Sequence, residues 1–280
     1  MKNMQRQTGP LRLIHALAAA LVASMACTAA AGAAGCPRKD ALNTARVLAV
    51  DAATTPRVGL KSFPQTLPLG DHEVVLTFDD GPWPPTTRRV LAALAHECVR
   101  ATFFVIGKSA SEHPDLVRRI AAEGHSIGHH TWSHPSLARI PPEQAVGQID
   151  RGIAADEMAL HGVATTTPST PFFRFPGFES TPATLDLLQS RGIVVFGADL
   201  WASDWNPMTP KQELKLITDR LEIARKGIIL FHDSKARTAA MLPAFLRYLS
   251  DHRYRVVHLV SAAPGARAGL TPKPAIKSPD

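Results

Sequence analysis

The sequence predicts an α/β protein whose mainly parallel sheet closes into a distorted (β/α) barrel of about seven repeats. Short runs rich in β-branched and aromatic residues alternate with longer amphipathic segments, and this alternation is typical of parallel sheets. With 45% apolar and 20% charged residues, the composition is that of a globular protein with a core. The chain of 280 residues is long enough for one such domain. The predicted strands are residues 73–78, 101–106, 125–127, 172–175, 193–197, 227–231 and 255–259.

The segments between these strands have the spacing of amphipathic helices. In residues 86–97, the apolar side chains of Val90, Leu91 and Leu94 fall on one face. In residues 142–161, Val146, Ile149 and Ile153 recur at intervals of three and four, and Met158 follows five positions later. Several segments begin at Pro, Ser or Thr and end near Gly, as helices commonly do. Because barrels of this kind carry their chemistry at the carboxyl ends of the strands, we expect the functional residues directly after the predicted strands.

The two ends of the chain differ in character from the predicted barrel. Residues 1–35 place basic residues before an apolar run and a stretch of small residues, which is the pattern of a secretory signal peptide. The apolar run is shorter than the roughly 20 residues that span a bilayer, so we expect cleavage, with retention as an N-terminal anchor or lipidation of Cys36 as the alternatives. We interpret residues 36–71 as an N-terminal extension, residues 72–262 as the main domain and residues 263–280 as a disordered tail.

Cysteine and charge content narrow the environment and the partners. In an exported chain Cys36 and Cys98 can form a disulfide, but a free Cys36 and a small buried Cys98 fit the sequence equally well. Part of the formal charge of +7 lies in the predicted signal segment, so the remainder is mildly basic and suits an acidic cell envelope. We expect no nucleic-acid partner, because the sequence has no basic stripe with interleaved aromatic residues.

Two adjacent acids follow the first predicted strand. The strand leads into Asp79 and Asp80, and Gly81-Pro82 then turns the chain away. Neighbouring residues at a strand end point in different directions, so one carboxylate can bind a metal ion while the other acts beside it. The alternative is a plain Asp-Gly turn without a functional role.

Four histidines lie at and after the third predicted strand: His125, His129, His130 and His134. Histidines four apart on one helical turn face the same side, and imidazole is a good ligand for divalent ions. The spacing alone does not choose between the His125/His129 pair and the His130/His134 pair. Together with the two acids, the cluster predicts a metal site.

These two segments resemble the signatures of the polysaccharide deacetylase family, the NodB-like enzymes of carbohydrate esterase family 4. The family carries a Thr-Phe-Asp-Asp-Gly-Pro segment and a His-Ser/Thr-x-x-His segment. This chain has residues 77–82 and 130–134 in the same order. The resemblance covers roughly residues 73–260 and implies the distorted barrel of the family.

The resemblance also implies roles for the acids and histidines. The ligands of a divalent metal ion would be Asp80, His130 and His134. Zinc is the first candidate, and cobalt, manganese and nickel also suit these ligands. Three protein ligands leave positions open for water and a substrate carbonyl, and Asp79 would be the general base. His125 and His129 would then be supporting residues, which either hold the metal ligands in place or simply lie at the surface; we expect the surface position.

A third segment matches the family with one departure. The family pattern Arg-x-Pro-aromatic-Gly corresponds here to Arg174 and Pro176, followed by Gly177 and Phe178. The resemblance implies that Arg174 pairs with Asp79 and that the backbone N–H of Gly177 lies in the oxyanion hole. The aromatic residue is displaced to Phe178, so the wall that faces the sugar is expected to differ.

The last two segments supply the remaining roles. Where the family shows Asp-x-x-Asp-Trp, this chain keeps Asp204 and Trp205 and has Trp201 at the first position. The resemblance implies that Asp204 orients a catalytic histidine, His232, which protonates the leaving amine. Trp205 would line the groove and Leu230 would form the floor of the acetyl pocket. Trp201 is either a second sugar platform or a core aromatic residue.

The implied activity is metal-dependent hydrolysis of N-acetyl groups on glucosamine-type residues of a cell-envelope or extracellular polysaccharide, giving free amine and acetate. The export signal predicts a periplasmic or extracellular protein, with peptidoglycan as the first candidate substrate, then chitin oligomers, an exopolysaccharide and acetylated xylan. The alternatives are an O-acetyl esterase, a non-sugar amide hydrolase on the same barrel, and a non-catalytic glycan-binding protein. Membrane contact is expected only if the N-terminal segment is retained or Cys36 is lipidated.

Overall fold

The computed structural model describes Cys36 and residues 38–262, so the predicted signal segment and the predicted tail lie outside the described residues. The strands are β1 (Thr44–Val50), β2 (Arg57–Val58), β3 (Glu73–Asp79), β4 (Thr102–Val105), β5 (Ser126–His129), β6 (Phe172–Phe173), β7 (Val194–Phe196), β8 (Leu200–Trp201), β9 (Gly227–His232) and β10 (Arg255–Ser261). The helices are α1 (Thr86–His96), α2 (Gly107–Glu112), α3 (Pro114–Ala122), α4 (Pro142–His161), α5 (Pro182–Ser190), α6 (Pro210–Ala224) and α7 (Ala236–Asp251). None of these helices combines the length and apolar character needed to cross a bilayer.

The strands form one parallel sheet centred on β3. Strand β3 pairs with β4, β9 and β10, and from β4 the sheet continues through β5, β6 and β7 to β2. Strand β8 extends the sheet beyond β9. Within the described part of the chain, β8 pairs with neither β7 nor β2, so the ring of strands is interrupted there. The prediction of an α/β fold with a mainly parallel sheet is confirmed.

All seven predicted strands are present, with their ends shifted by a few residues. The sequence pattern missed three further strands. Strand β1 pairs in parallel with β10, from Thr44 opposite Val256 to Val50 opposite Ser261, so part of the predicted N-terminal extension is built into the sheet. Strands β2 and β8 have two residues each, which is too short for a recognisable pattern.

Local sequence signals explain where several helices begin and end. Helices α4, α5 and α6 begin with Pro in the first turn, where the missing N–H has no intrahelical partner to lose. The hydroxyls of Thr181 and Thr209 accept hydrogen bonds from the first turns of α5 and α6. Helix α4 ends at Gly162, whose φ of 75° lies in the left-handed region that glycine adopts without steric cost.

The alternation of side chains along β3 orients the functional end of the sheet. All seven residues of β3 are buried. Val74, Leu76 and Phe78 pack with residues of the surrounding helices, whereas Val75 packs with residues of the other strands inside the barrel. Because successive side chains of a strand point to opposite faces, Asp79 shares the interior face of Val75. The last carboxylate of β3 therefore points into the mouth of the barrel.

Cys36 and Cys98 form a disulfide, so the alternative of two free cysteines is wrong. Cys98 follows α1 and precedes β4, on the amino-terminal side of the strands. Beside it, the Glu97 carboxylate accepts hydrogen bonds from Arg38 at 3.0 Å and from the Leu42 N–H at 3.1 Å. The first described residues are therefore fastened to the end of the barrel opposite the mouth.

Candidate active site

A cavity of about 350 Å³ opens at the carboxyl ends of β3 and β9. Its walls contain most of the residues that the sequence predicts to be functional. The lining residues are Lys61, Asp79, Asp80, His130, His134, Phe175, Gly177, Phe178, Trp201, Trp205, Leu230, His232 and Lys235. A larger groove of about 820 Å³ lies between α1 and α7, but no predicted site residue lines it. The predicted catalytic and metal-binding residues therefore lie in the smaller cavity.

Asp79 lies at the base of this cavity and is 2% exposed. Its Oδ1 accepts a hydrogen bond from Nη1 of Arg174 at 2.8 Å. Burial raises the pKa of the Asp79 carboxyl above its usual range, and the positive charge of Arg174 opposes this shift. A carboxylate with a raised pKa is a stronger proton acceptor, so Asp79 is suited to act as a general base.

Arg174 is completely buried, and its guanidinium group is hydrogen-bonded to several neighbouring residues. Besides Asp79, Nη1 donates to the Thr77 hydroxyl at 2.8 Å, and Nη2 donates to the Gly197 carbonyl at 2.8 Å. The Phe104 ring covers the guanidinium carbon, with 4.3 Å between that carbon and the ring centroid. A buried charge is tolerated only when it is paired and hydrogen-bonded, and this network meets that condition. It holds Asp79 in one orientation.

Asp80, His130 and His134 form the one cluster of potential metal ligands found among the described residues. One possible ligand atom from each residue lies within 4.8 Å of those of the other two. Oδ1 of Asp80 is 3.7 Å from Nε2 of His130 and 3.3 Å from Nε2 of His134. This buried oxygen has no hydrogen-bond donor in the described part of the chain. A divalent cation would satisfy it, so the donor set fits a metal ion.

Hydrogen bonding fixes the tautomer of His130. Its Nδ1 is 2.7 Å from the carbonyl oxygen of Arg174, which can only accept, so Nδ1 carries the proton. Burial lowers the pKa of His130 to about 3, which keeps the ring neutral. The lone pair of Nε2 therefore points towards Asp80 and is available to a metal ion. Metal-binding histidines commonly use one ring nitrogen for an orienting hydrogen bond in this way.

The two histidines do not share a helical turn, so the helical explanation for their meeting is wrong. His130 follows the end of β5, and His134 lies in the loop before α4. Thr131 and His134 adopt left-handed φ angles of 67° and 62°, which fold the loop back on itself. The Thr131 hydroxyl accepts a hydrogen bond from the His134 N–H at 3.0 Å. Loop geometry, rather than helical periodicity, brings the two rings together.

His125 and His129 are buried, so the expectation that they lie at the surface is wrong. Nδ1 of His125 accepts a hydrogen bond from the Ala101 N–H at 3.1 Å, and its ring packs against Phe103. Nδ1 of His129 is 2.7 Å from Oδ2 of Asp156 in α4. Burial lowers the pKa of His129 to about 4 and raises that of Asp156 well above its usual range. Both histidines lie outside the metal cluster and support the ends of β5.

His232 and Asp204 form a second pair beside the metal cluster. Nδ1 of His232 is 2.7 Å from Oδ1 of Asp204, and the His232 N–H donates to Oδ2 of Asp204 at 2.7 Å. Burial lowers the pKa of His232, but the hydrogen bond to Asp204 and the nearby carboxylates raise it to about 9. His232 is therefore protonated at neutral pH. Its Nε2 is 3.9 Å from Oδ2 of Asp80 and can donate a proton into the cavity.

The remaining predicted residues line the same cavity. Gly177 has a left-handed φ of 59° within a short 3₁₀ helix, Pro176–Phe178. Leu230 is 3% exposed, as expected for a pocket floor, whereas Trp205 is 49% exposed and stands edge-on to His232. Trp201 also lines the cavity, so its indole is not a core residue. The displaced aromatic residue, Phe178, is part of the wall.

The sequence pattern did not single out Lys61, Lys235 or Thr77. Lys61 lies in the segment interpreted as an extension, 18 positions before Asp79 in the numbering, where no motif marks it. Lys235 follows the His232 segment directly, so its position near the site was readable from the sequence. Thr77 is part of the first motif, but only the structure reveals its hydrogen bond to Arg174.

The chain is similar in sequence to known polysaccharide deacetylases. Residues 67–196 match the sequence profile described as polysaccharide deacetylase. A peptidoglycan-N-acetylglucosamine deacetylase of Bacillus cereus is 48% identical over 82 residues, which are 29% of this chain and 30% of that protein. A chitooligosaccharide deacetylase of Bradyrhizobium sp. is 32% identical over 165 residues, 59% of this chain and 72% of that protein. The match to the Bacillus cereus protein therefore leaves most of that relative uncovered.

A solved structure extends the similarity to most of the chain. A peptidoglycan deacetylase of Bdellovibrio bacteriovorus superposes with a TM-score of 0.71 at 29% sequence identity. The superposition covers 82% of this chain and 63% of the Bdellovibrio chain. It therefore reaches beyond the residues that match the family profile.

Proposed function

Because the chain belongs to the polysaccharide deacetylase family, we propose that it is a metal-dependent hydrolase that removes N-acetyl groups from glucosamine-type residues of a cell-envelope polysaccharide. One observation carries this proposal: a carboxylate suited to accept a proton, a metal-ligand cluster and a protonated histidine meet in a single cavity. Metal-dependent hydrolysis of an amide uses these three elements together. A protein that only binds glycans requires none of them.

Asp80, His130 and His134 would hold a divalent ion, which supplies Lewis-acid polarisation of the acetyl carbonyl and lowers the pKa of a water molecule. Zinc is the first candidate, because two imidazoles and a carboxylate with open positions are typical of catalytic zinc sites. Cobalt, manganese and nickel suit the same ligands. The buried Oδ1 of Asp80, which accepts no hydrogen bond from the described residues, supports this assignment.

Other residues of the cavity would transfer the protons and stabilise the developing charge. Asp79 accepts a proton from water as the oxygen forms a bond to the acetamide carbon. The N–H of Gly177 donates a hydrogen bond to the carbonyl oxygen, on which negative charge develops. His232 gives its Nε2 proton to the nitrogen as the carbon–nitrogen bond breaks, because an amide anion is too poor a leaving group. The products are acetate and a free amine.

The walls of the cavity suit a short acyl group on a sugar. Leu230 closes the floor, which favours an acetyl group over longer acyl chains. Phe178 and Trp205 provide flat apolar surface, on which the face of a sugar ring can pack, whereas the ring of Trp201 is covered by the cationic groups of Lys61 and Arg220. The relatives named above act on peptidoglycan or chitooligosaccharides. Peptidoglycan is our first candidate substrate, followed by chitin oligomers.

We propose that the protein acts outside the cytoplasm, in the periplasm or the medium. The disulfide between Cys36 and Cys98 supports this location, because disulfides persist in oxidising compartments. The predicted signal segment, residues 1–35, supports it independently. The disulfide occupies the sulfur that lipidation of Cys36 would require, so it argues against a lipid anchor at this residue. Mass determination of the N-terminus of the exported protein tests cleavage of the signal segment.

The proposal is tested by measuring acetate release from a panel of substrates. The panel contains N-acetylglucosamine oligomers, peptidoglycan, acetylated xylan and small acyl amides, each with and without a chelator. We expect release from N-acetylated glycans that stops on chelation and returns on reloading with a divalent metal. Release only from xylan would indicate an O-acetyl esterase. Release only from small amides would indicate a non-sugar amidase. A folded, reloaded protein that releases nothing would leave the glycan-binding alternative.

A further inference from the structure

Two lysines without a charged partner line the catalytic cavity. Lys61 lies in the loop that follows β2, and Lys235 lies directly before α7. Within the described residues, neither ammonium group forms an ion pair or a hydrogen bond. By contrast, Lys215 on the surface of α6 is paired with Asp219 at 2.7 Å. A cation that lines a binding cavity without a partner is available to an anion of the substrate.

The loop that carries Lys61 has a fixed position. The Lys61 N–H donates to the Ala198 carbonyl at 2.8 Å, and the neighbouring Leu60 N–H donates to Oδ1 of Asp199 at 2.8 Å. Gly59 has a φ of 109° and packs so closely that a Cβ there would lie 2.5 Å from the carbonyl carbon of Gly197. These contacts hold the part of residues 36–71 around Lys61 against the end of β7. As a result, Lys61 lies at the cavity.

The Lys61 ammonium lies over an aromatic side chain of the cavity. Its Nζ is 4.9 Å from the centroid of the Trp201 ring. A cation–π contact of this kind orients the ammonium while leaving its donors available. The guanidinium carbon of Arg220 also lies over this ring, 5.2 Å from its centroid. A sugar bound beside the indole, rather than on it, would bring a charged substituent within reach of the Lys61 ammonium.

Lys235 is fixed relative to His232. The Lys235 N–H donates to the His232 carbonyl at 3.2 Å, which closes a turn immediately before α7. The cavity carboxylates already have other partners: Asp79 pairs with Arg174, and Asp80 belongs to the metal-ligand cluster. The two lysines therefore add positive charge that no acidic side chain of the cavity neutralises.

We propose that Lys61 and Lys235 bind a carboxylate on the sugar next to the one that loses its acetyl group. The substrate class is then an acidic N-acetylated glycan, in which a free lactyl carboxylate or a uronic acid neighbours the reacting residue. Peptidoglycan strands from which the stem peptides have been removed belong to this class, whereas neutral oligomers and strands with amide-linked lactyl groups do not. This inference rests on the proposed deacetylase function and specifies its substrate. Partly exposed ion pairs contribute about 2–5-fold each, so the two lysines together should favour acidic substrates by about 10-fold.

The test compares substrates that differ in charge at the neighbouring sugar. They are N-acetylglucosamine tetramer, an alternating N-acetylglucosamine and N-acetylmuramic acid tetrasaccharide, the same compound with its lactyl carboxylates converted to methylamides, and a tetrasaccharide that alternates N-acetylglucosamine with glucuronic acid. The measured quantity is kcat/KM for acetate release at low and high salt. The proteins are the wild type, Lys61→Met, Lys235→Met and the double variant. Lys211→Met, on the exposed surface of α6, is the matched control.

We expect the wild type to prefer the free lactyl carboxylate over its methylamide by about 10-fold, mainly through KM. The preference should fall to about 1 in the double variant and in high salt, and Lys211→Met should keep it. Comparison of the lactyl and uronic acid compounds identifies the source of the carboxylate. A wild type without a preference, or a double variant that keeps it, would overturn the proposal.

Failure of the proposed function is distinguishable from failure of this inference. If no glycan releases acetate, the deacetylase proposal fails, and calorimetry then decides the carboxylate inference alone. For that measurement, Asp79→Asn is titrated with the free acid and with the methylamide. Tighter binding of the acid that disappears in the Asp79→Asn, Lys61→Met, Lys235→Met variant supports the carboxylate site. Equal affinity of Asp79→Asn for the free acid and the methylamide would contradict the carboxylate site.

Discussion

The protonation state of His232 depends on Asp204. Burial alone lowers the pKa of the imidazole, and the hydrogen bond and charge of Asp204, together with the charges of Asp80 and Asp79, reverse that effect and raise the pKa to about 9. A divalent ion held by Asp80 would remove part of this rise and leave the contribution of Asp204. A group with a raised pKa is protonated below that value and loses its proton as the pH rises through it. As a proton donor, His232 is therefore active through neutral pH and inactive above about pH 9. The alkaline limb of the rate profile should report this titration.

Replacement of Asp204 by Asn should move that limb to lower pH. The amide keeps the shape of the side chain but removes the negative charge that favours the imidazolium, so the pKa of His232 should fall towards its ordinary value of 6.5. We expect the limb of kcat to shift down by at least about one pH unit. Asp219→Asn, at an exposed position on α6, is the control. An alkaline limb that stays near pH 9 in the Asp204 variant would contradict the assignment.

Single substitutions of the proposed metal ligands should weaken metal binding. Replacing His130 or His134 with Ala should lower the affinity for the divalent ion by more than the ~10–100-fold that follows loss of an outer hydrogen-bond partner. Equilibrium dialysis with metal analysis measures this directly. His161→Ala, an exposed histidine of α4, should leave metal content unchanged. If both single variants kept their metal and only His125→Ala or His129→Ala lost it, the ligands would be misassigned.

The sequence predicted many of the residues that line the candidate site, because several of them are close together along the chain. Asp79 and Asp80 are adjacent, and His130 and His134 are four residues apart, so each pair meets through short stretches of backbone. Contacts across the barrel are different, because they depend on the packing of distant segments. The hydrogen bond from Arg174 to Thr77 spans 97 positions, and no local pattern marks Lys61. Such partners become visible only when the sheet is assembled.

The loop between β5 and α4 is held by close packing against α4. The Trp132 N–H donates to the Gln148 carbonyl at 2.9 Å. At Gly152, an added Cβ would lie 2.5 Å from the carbonyl carbon of Thr131, in the loop that carries His134. Because backbone atoms cannot move aside as a flexible side chain can, any larger residue at this position must displace the loop.

The substitution Gly152→Ala should therefore destabilise the fold by about 1–3 kcal/mol and weaken metal binding through displacement of His134. Gly147→Ala is the matched control, because it lies in the same helix and an added Cβ there meets no atom within 4 Å. The control should be neutral or stabilise the protein by up to about 1 kcal/mol, as expected for Gly→Ala in a helix. Chemical unfolding and metal titration measure both effects. Equal behaviour of the two variants would disprove the role of this contact.

Individual elements differ in how well their sequences predicted them. The seven main strands were recognisable because they are buried runs of branched and aromatic residues, as in the fully buried β3. Strand β1 alternates between intermediate and exposed positions until Val50, so its apolar signal is weak. The expected helical turn at His130 and His134 does not form, because Thr131 and His134 take left-handed φ angles that sequence spacing does not reveal.

At the scale of the whole molecule, covalent stabilisation and chemistry occupy opposite ends of the barrel. The disulfide between Cys36 and Cys98 lies before β4, whereas the cavity lies beyond the carboxyl ends of β3 and β9. Replacing both cysteines with Ser should lower the free energy of unfolding by about 2–4 kcal/mol, because the bond restricts a long loop in the unfolded chain. KM should remain unchanged at 25 °C. Reduction of the wild type should reproduce the loss of stability, and a changed KM in the folded variant would contradict this separation.

Asp79→Asn in the metal-loaded protein tests most directly whether the cavity performs metal-dependent hydrolysis. The measurement is the rate of acetate release from an N-acetylglucosamine oligomer, with metal content determined on the same sample. Asp79 is outside the metal-ligand cluster, so we predict that the variant keeps one divalent ion per chain while its kcat falls by about 10²–10⁴-fold. Acetate release at the wild-type rate from a variant that still holds its metal would contradict the account.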